Sequence, residues 1–134
     1  MIALKKIVFI SIIALVIILA GSYKVSKIFV ERKIDAYIEQ YGIPESDISK
    51  STLDYNIFSG DYEKRIWTYT DNDEDIFYLV SFASIFSARD YGEIGLDFYL
   101  YGNAFNYYGT ERDHQEFQSF LKRHDWQIAY PPKK

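Results

Sequence analysis

The pattern of the chain begins with an uncharged apolar run, residues 7–23, directly after Lys5 and Lys6. As an α-helix this run spans roughly 26 Å, just short of the hydrocarbon core of a bilayer. The length falls between that of a signal-peptide apolar region and that of a comfortable transmembrane helix, and the small residues Ala20 and Ser22 permit cleavage after Ser22. Lipid attachment is excluded, because Ser22 stands where a lipoprotein box requires cysteine.

Apolar residues at helical spacing continue beyond this run, and no turn-forming residue precedes Gly42. The pattern therefore predicts one helix to about Tyr41, ended by Gly42 and Pro44. A continuous helix withholds the extended chain that signal peptidase requires, so we expect the segment to be retained as an anchor. The apolar positions of the extension are Val25, Ile28, Phe29, Tyr37, Ile38 and Tyr41.

The charges that flank the apolar run do not settle its orientation by the positive-inside rule, since basic residues lie on both sides. A short basic tail before an apolar run is how exported proteins begin, so we expect the amino terminus inside and the remaining chain outside. Residues 7–23 would then hold a single-pass protein in the cell membrane, or the protein would be secreted if cleaved after Ser22. The basic residues after the run are Lys24, Lys27, Arg32 and Lys33.

Apolar and polar residues alternate in the second part of the chain and predict strands at residues 51–58, 62–70, 76–82 and 94–101. Short polar turns separate them, which indicates a four-strand antiparallel meander. The segment 102–109, "GNAFNYYG", is interpreted as an aromatic loop, and "WQIAYPP", residues 126–132, as a short edge strand.

Thr110 and Asp113 form a predicted capping box for a helix over residues 111–124, whose apolar stripe is Phe117, Phe120 and Leu121. The predicted fold is therefore α+β: an N-terminal transmembrane and stalk helix, then a four-strand antiparallel meander with a C-terminal helix packed on it. The predicted organisation is an anchor at 1–23, an amphipathic stalk helix at 24–44 and a small aromatic-rich domain at 45–134.

Composition supports one small folded domain outside the membrane. Residues 23–134 carry a formal charge of −6, so nucleic acid is not expected as a partner. The chain has no cysteine, which removes disulfides, thiolate metal sites and cysteine nucleophiles. It contains 13 tyrosines and 10 phenylalanines, and aromatic residues favour pleated, half-buried surfaces.

Metal and cofactor sites are not expected. His114 and His124 are the only histidines, and on one helix they lie roughly 15 Å apart, too far to share an ion. Asp71, Asp73 and Asp75 match the first positions of a calcium loop, but Ile76 occupies the position that requires glycine. We interpret this segment as a solvated turn, with weak calcium binding left open.

Catalytic signals are absent from the sequence. There is no G-x-S-x-G motif and no glycine-rich phosphate loop, and neither histidine stands in a pattern of base and nucleophile. Carboxylates are so numerous that their presence carries no information about glycoside hydrolysis. We therefore expect that the protein is not an enzyme.

The tyrosines permit a binding surface. Tyr99, Tyr101, Tyr107 and Tyr108, together with Tyr69, are candidates for an exposed platform that contacts sugar rings or a peptide. The alternative is that the same rings pack a small core, which needs large side chains to bury enough area.

The order of the segments resembles a family of short, single-pass proteins of Gram-positive bacteria known only as a domain of unknown function. The similarity rests on "KIDAYIEQYGIPESDI", "SGDY" and "IWTYTDNDED", and extends over roughly residues 1–82. The resemblance implies a membrane-anchored extracytoplasmic domain and supplies no catalytic residues.

The resulting hypothesis is a membrane-anchored envelope protein that acts as a non-enzymatic interaction or accessory module, with an envelope protein or the cell wall as partner. Three alternatives stay open: an immunity-type protein that masks a partner, a cell-wall glycan binder that uses exposed tyrosines, and an envelope hydrolase. A hydrolase would bring two or more carboxylates together in a groove.

Overall fold

The structure is a computed structural model that describes residues 1–107 and 110–131. Its regular elements are two helices and five strands, with a 3-10 turn at Glu45–Asp47 before the first strand. The helices are α1 (Ile2–Tyr41) and α2 (Glu111–His124), and the strands are β1 (Ile48–Asn56), β2 (Asp61–Thr68), β3 (Ile76–Ala83), β4 (Ile94–Leu100) and β5 (Asn103–Tyr107).

The predicted α+β class and the antiparallel meander are confirmed, with a correction to the strand count. The five strands lie in one sheet in the order β1-β2-β3-β4-β5, and each pair of neighbours is antiparallel. The fifth strand occupies the segment predicted to be an aromatic loop. Tyr101 and Gly102 both have left-handed backbone angles, φ 50° and 80°, so a two-residue turn reverses the chain and pairs Phe105 with Phe98.

The predicted edge strand near the C-terminus is wrong for the residues that the structure describes, since residues 126–131 contain no strand. Their backbone binds side chains instead of a neighbouring strand. The amide of Ala129 donates to Asp71 Oδ1 at 2.8 Å, and the amide of Tyr130 donates to the Tyr78 hydroxyl at 3.1 Å.

Helix α1 ends, and helix α2 begins, where the local sequence predicts. Gly42 has φ 104° and its amide donates to the carbonyl of Ile38 at 3.1 Å, so α1 stops one residue before it. The predicted capping box of α2 is present: Thr110 Oγ1 accepts from the amide of Asp113, and Asp113 Oδ2 accepts from the amide of Thr110, both at 3.1 Å.

The chain divides into two compact units, Met1–Lys33 and Ile34–Lys134, at a point inside the predicted stalk segment. In the first unit the large apolar side chains from Ile2 to Leu19 are exposed. Helix α1 is long and apolar enough to cross a membrane, a property that a single-pass anchor and a signal sequence share.

The core of the second unit lies on one face of the sheet. Even-numbered residues of β2, β3 and β4 point to this face, and Ile66, Tyr78 and Phe98 are almost fully buried there. Helix α2 covers them through Phe117, whose ring centroid lies 4.7 Å from that of Phe98. The last turns of α1 contribute the buried side chain of Ile34. The odd-numbered residues form the opposite face, called the open face below.

Candidate functional site

The open face carries a row of three neighbouring aromatic rings that crosses three strands. The ring centroid of Phe77 on β3 lies 5.3 Å from that of Trp67 on β2 and 4.7 Å from that of Tyr99 on β4. Phe77 and Tyr99 are nearly parallel, at 9°. All three side chains are half-buried, so their outer surfaces remain accessible. We call Trp67, Phe77 and Tyr99 the aromatic row.

Polar groups surround this row. Lys50 of β1 places its Nζ 4.8 Å from the centre of the Trp67 ring, a cation–π distance. Burial raises the pKa of Tyr99, and the nearby negative charge of Asp97 raises it further. The Tyr99 phenol is therefore neutral at ordinary pH and available as a hydrogen-bond donor or acceptor.

Next to the aromatic row lies a pocket of about 350 Å³ on the same unit. Strand register explains its composition, because Asp97 pairs with Leu79 and with Asn106, while Glu63 pairs with Ser81. Carboxylates on β2 and β4 are thereby brought to one cavity. The pocket is lined by Tyr37, Asp61, Glu63, Leu79, Ser81, Arg89, Glu93, Ile94, Gly95, Leu96, Asp97 and Asn106.

Arg89 of the β3–β4 loop folds back over this end of the sheet. Its Nη2 donates to Ser81 Oγ at 3.0 Å and lies 3.4 Å from Oδ1 of the buried Asp61. Gly95 leaves room for this position, because a Cβ there would lie 3.0 Å from Arg89 Nη1 and 3.2 Å from Ser81 Oγ. The guanidinium therefore rests on a gap in the side-chain surface and partly balances the acidic pocket.

Asp97 is a half-buried carboxyl of the pocket. Burial raises its pKa; the Arg89 charge opposes this rise, and the Glu63 charge adds to it. A raised carboxyl pKa suits a group that releases or accepts a proton, and equally a group that binds a cation or a hydroxyl. Among residues 1–107 and 110–131 no set of three or more histidine and carboxylate side chains is arranged to hold a metal ion.

The structure places the predicted tyrosines at different locations. Tyr99 belongs to the aromatic row, whereas Tyr101 lies in the β4–β5 turn, where its hydroxyl donates to Asp73 Oδ2 at 2.8 Å. The Tyr101 ring packs against Trp126, with centroids 4.9 Å apart. The backbone of Tyr107 ends β5, but its side chain and all of Tyr108 lie outside the described residues.

Sequence reasoning missed Trp67 and Phe77 as partners of Tyr99. The sequence alternation does predict that all three side chains lie on the same face, because all three residues have odd numbers on their strands. It does not predict the strand register that sets these rings side by side.

The acidic turn at residues 71–75 has a structural role. Asp71 Oδ2 accepts hydrogen bonds from Thr68 Oγ1 at 2.7 Å and from the Tyr78 hydroxyl at 2.9 Å, and its other oxygen binds the amide of Ala129. Asp73 binds Tyr101, as described above, and accepts from the amide of Asp75 at 2.9 Å. These aspartates therefore connect the turn to the core and to the C-terminal tail.

A second carboxylate fixes the same tail. The Tyr130 hydroxyl donates to Asp47 Oδ2 at 2.5 Å, and the Thr70 hydroxyl donates to that oxygen at 2.7 Å. These bonds lower the pKa of Asp47. Burial and the bond to Asp47 raise the pKa of Tyr130 to about 12.

Comparison with known proteins supports the resemblance inferred from the sequence. A family model described as "Protein of unknown function (DUF3139)" matches residues 3–74, which is more than half of the chain. The chain belongs to this family. The predicted membership in a domain of unknown function is thus confirmed, although the match ends before residue 82. No curated protein matches the chain, and no solved structure does.

The family match covers α1, β1 and β2 but not the whole candidate site. Trp67, Asp61 and Glu63 lie inside the matched residues, whereas Phe77, Asp97 and the other β3 and β4 residues of the open face lie beyond them. The site therefore combines residues from the family segment with residues that follow it.

Proposed function

We propose that the protein is a single-pass membrane-anchored binding module, non-enzymatic, with its amino terminus inside and its folded unit outside. The aromatic row is the observation that carries the binding function. Trp67, Phe77 and Tyr99 form a continuous aromatic surface that is only half-buried, while most of the core lies on the other face of the sheet.

The surroundings of the row favour a sugar ring as the ligand. Aromatic faces bind the apolar faces of sugars, and neighbouring polar groups bind the hydroxyls. Here Asp97 and Asn106 line the adjacent pocket, and Lys50 lies at the Trp67 end of the row. A glycan of the cell envelope therefore matches both the surface and the proposed location.

Binding is tested by sedimentation of the detergent-solubilised full chain with purified cell-wall glycan. We expect Phe77→Leu to weaken binding at least about tenfold, because it removes the central ring while it keeps apolar volume. Tyr91→Leu is the matched control, since Tyr91 is exposed on the β3–β4 loop and lies outside the aromatic row. Equal binding by both variants and the unaltered chain would exclude the row as the binding surface.

The anchor is tested by cysteine labelling, which is site-specific because the chain has no native cysteine. Asn72→Cys lies on an exposed turn of the folded unit, and Ala3→Cys lies before the apolar run. In a Gram-positive host we expect an impermeant maleimide to label intact cells at residue 72, and at residue 3 only after lysis. A protein found in the medium with a mass that begins at Tyr23 would contradict the anchor.

An envelope hydrolase is the second candidate, favoured by the convergence of carboxylates in the pocket. Asp97, with its raised pKa, suits a proton donor, and Glu63 or Asp61 supplies a second carboxylate. If this candidate is correct, the unaltered chain releases reducing ends from wall glycan and Asp97→Asn abolishes that release. No release by the unaltered chain would reject it.

A further inference from the structure

Two loops at one end of the sheet expose large apolar side chains together. In the β1–β2 turn Ile57 is 76 % exposed and Phe58 94 %, and in the β3–β4 loop Ile85 is 74 % exposed and Phe86 77 %. Single exposed apolar residues are normal, but four at the tips of adjoining loops form a patch. We call Ile57, Phe58, Ile85 and Phe86 the apolar tip.

The two loops are in direct backbone contact and act as one structure. Gly60 accepts a hydrogen bond on its carbonyl from the amide of Ser84 at 3.2 Å. A Cβ on Gly60 would lie only 2.5 Å from the carbonyl oxygen of Phe86. Gly60 therefore permits a close approach that holds the two apolar pairs side by side.

Side chains within the loops satisfy several of their backbone amides. Asn56 Oδ1 accepts from the amides of Phe58 and Ser59 at 2.9 and 3.3 Å, and Ser84 Oγ accepts from the amide of Phe86 at 3.1 Å. Free amides are costly in an apolar medium, so internal bonding lowers the cost of moving these loops out of water.

The front of both loops carries no charge, although residues 23–134 together have a formal charge of −6. Residues 57–60 read "IFSG" and residues 84–88 read "SIFSA". The nearest basic residue along the β3–β4 loop, Arg89, turns back to Ser81 and Asp61. The patch is thus suited to an apolar surface and not to a charged partner.

The chain enters the second unit beside the middle of β2 and then runs away from the apolar tip. Asp35, one residue after the unit begins, binds Lys64 in the half of β2 nearer the β1–β2 turn. The chain then leads away from the loops, because Ile48 pairs with Thr68 at the opposite end of β2. The segment before this entry, residues 24–33, follows directly on the apolar run.

We propose that the apolar tip docks into the interfacial region of the lipid bilayer, so that the folded unit contacts the membrane at a second point besides α1. The lipid surface is the occupant favoured by the uncharged residues 57–60 and 84–88 and by the course of the last turns of α1, which lead away from these loops. The proposal rests on the anchored state proposed above. Tyr91, exposed in the same β3–β4 loop, is a residue type that favours the membrane–water interface.

The test uses the full chain in vesicles of equal parts phosphatidylglycerol and phosphatidylcholine. Single cysteines at Phe58, Phe86, Asn72 and Ile12 are labelled with an environment-sensitive fluorophore, and lipids with spin labels at shallow or deep positions serve as quenchers. We expect shallow quenchers to reduce emission at 58 and 86 at least about twofold, as for groups buried roughly 5–10 Å into the interface. Residue 72, on the β2–β3 turn, should not respond.

A second variant separates docking from misfolding. With the fluorophore at Ser59→Cys, the double substitution Phe58→Ser and Phe86→Ser should abolish quenching. Both side chains are exposed, so the circular dichroism spectrum should not change. Quenching that persists in this variant would overturn the proposal.

The probe at residue 12 keeps the two proposals apart. Quenching at 12 by deep labels without quenching at 58 and 86 keeps the anchor and overturns the docked tip. Quenching at the tip alone rejects the anchor and, with it, a contact second to α1, and no quenching at any site rejects both. A blue shift at the tip that spin-labelled lipids do not quench, and that grows with the protein-to-lipid ratio, would assign the patch to a second copy of the chain and overturn the lipid proposal.

Discussion

Lys64 donates a hydrogen bond of 2.6 Å from its Nζ to Oδ1 of Asp35, which joins strand β2 to the last turns of helix α1. The Lys64 side chain is only 9 % exposed, whereas that of Asp35 is 53 % exposed. A lysine on the core face of an internal strand is unusual. The sequence pattern, in which Lys64 alternates with its neighbours between Tyr62 and Ile66, does not predict a charged partner. The pair fixes where the helix meets the sheet.

Removal of Asp35 should destabilise the folded unit. We expect Asp35→Ala to cost about 1 kcal/mol of unfolding free energy, because it deprives a largely buried ammonium of an acceptor that is itself half in water. Lys64→Met should cost less, since methionine keeps the packing of the stem without a charge. Urea unfolding of the full chain in detergent measures both.

The control for this pair is the exposed ion pair of Arg112 and Glu116, whose Nε and Oε1 atoms are 2.7 Å apart. Glu116→Ala should change the unfolding free energy by no more than about 0.5 kcal/mol. If Asp35→Ala costs no more than Glu116→Ala, the bond between Lys64 and Asp35 does not fix the helix.

Gly60 and Gly102 offer a matched pair of substitutions. Both have left-handed backbone angles, φ 74° and 80°. A Cβ on Gly60 would clash with the carbonyl oxygen of Phe86, whereas no atom lies within 4 Å of a Cβ at Gly102. We expect Gly102→Ala to cost about 1 kcal/mol for the backbone angle, and Gly60→Ala about 3 kcal/mol or more, since the loops must also separate. Thermal unfolding followed by circular dichroism distinguishes them, and equal costs would contradict the close approach.

Substitutions of Asp71 and Asp73 should change the unfolding free energy by different amounts, although both residues lie in the same acidic turn. Asp71→Asn replaces one carboxylate oxygen with an NH2 group, which cannot accept, so either the bonds from Thr68 and Tyr78 or the bond from Ala129 are lost, and we expect a loss of about 1–3 kcal/mol. Asp73→Asn should cost less than about 1 kcal/mol, because its bond to Tyr101 is exposed. Limited proteolysis adds a second measurement: only Asp71→Asn should speed cleavage after Trp126.

Alkaline pH should weaken the attachment of the C-terminal tail. The pKa of Tyr130 is about 12, above its ordinary value of 10.0, so the folded state holds this proton more tightly than the unfolded chain. The stability that this gives is fully present below about pH 10 and is lost as the pH rises toward 12. Unfolding free energy measured against pH should therefore fall less steeply between these values in Tyr130→Phe.

The control for the alkaline experiment is Tyr69→Phe, because Tyr69 is exposed at the end of β2. Its slope between pH 10 and 12 should match that of the unaltered chain. An identical slope for Tyr130→Phe would show that the bond to Asp47 does not hold the phenol in the folded state.

The sequence by itself determined the local elements of this protein. Helical spacing up to Tyr41, followed by Gly42 and Pro44, gave the extent of α1, and Thr110 with Asp113 gave the start of α2. Alternation located four of the five strands and identified Ile94, Leu96, Phe98 and Leu100 as the inward side of β4. These features depend on interactions within a few residues, so the local pattern contains them.

Only the tertiary structure decided which residues meet across the sheet. The register sets Phe77 between Trp67 and Tyr99, gathers Asp61, Glu63 and Asp97 at one pocket, and brings the loop of Phe58 against the loop of Phe86. It also gave the C-terminal tail side-chain acceptors, Asp71 among them, in place of a strand partner. Alternation tells which face a side chain occupies, but its neighbours come from pairings between residues far apart in the chain, and no local pattern encodes those.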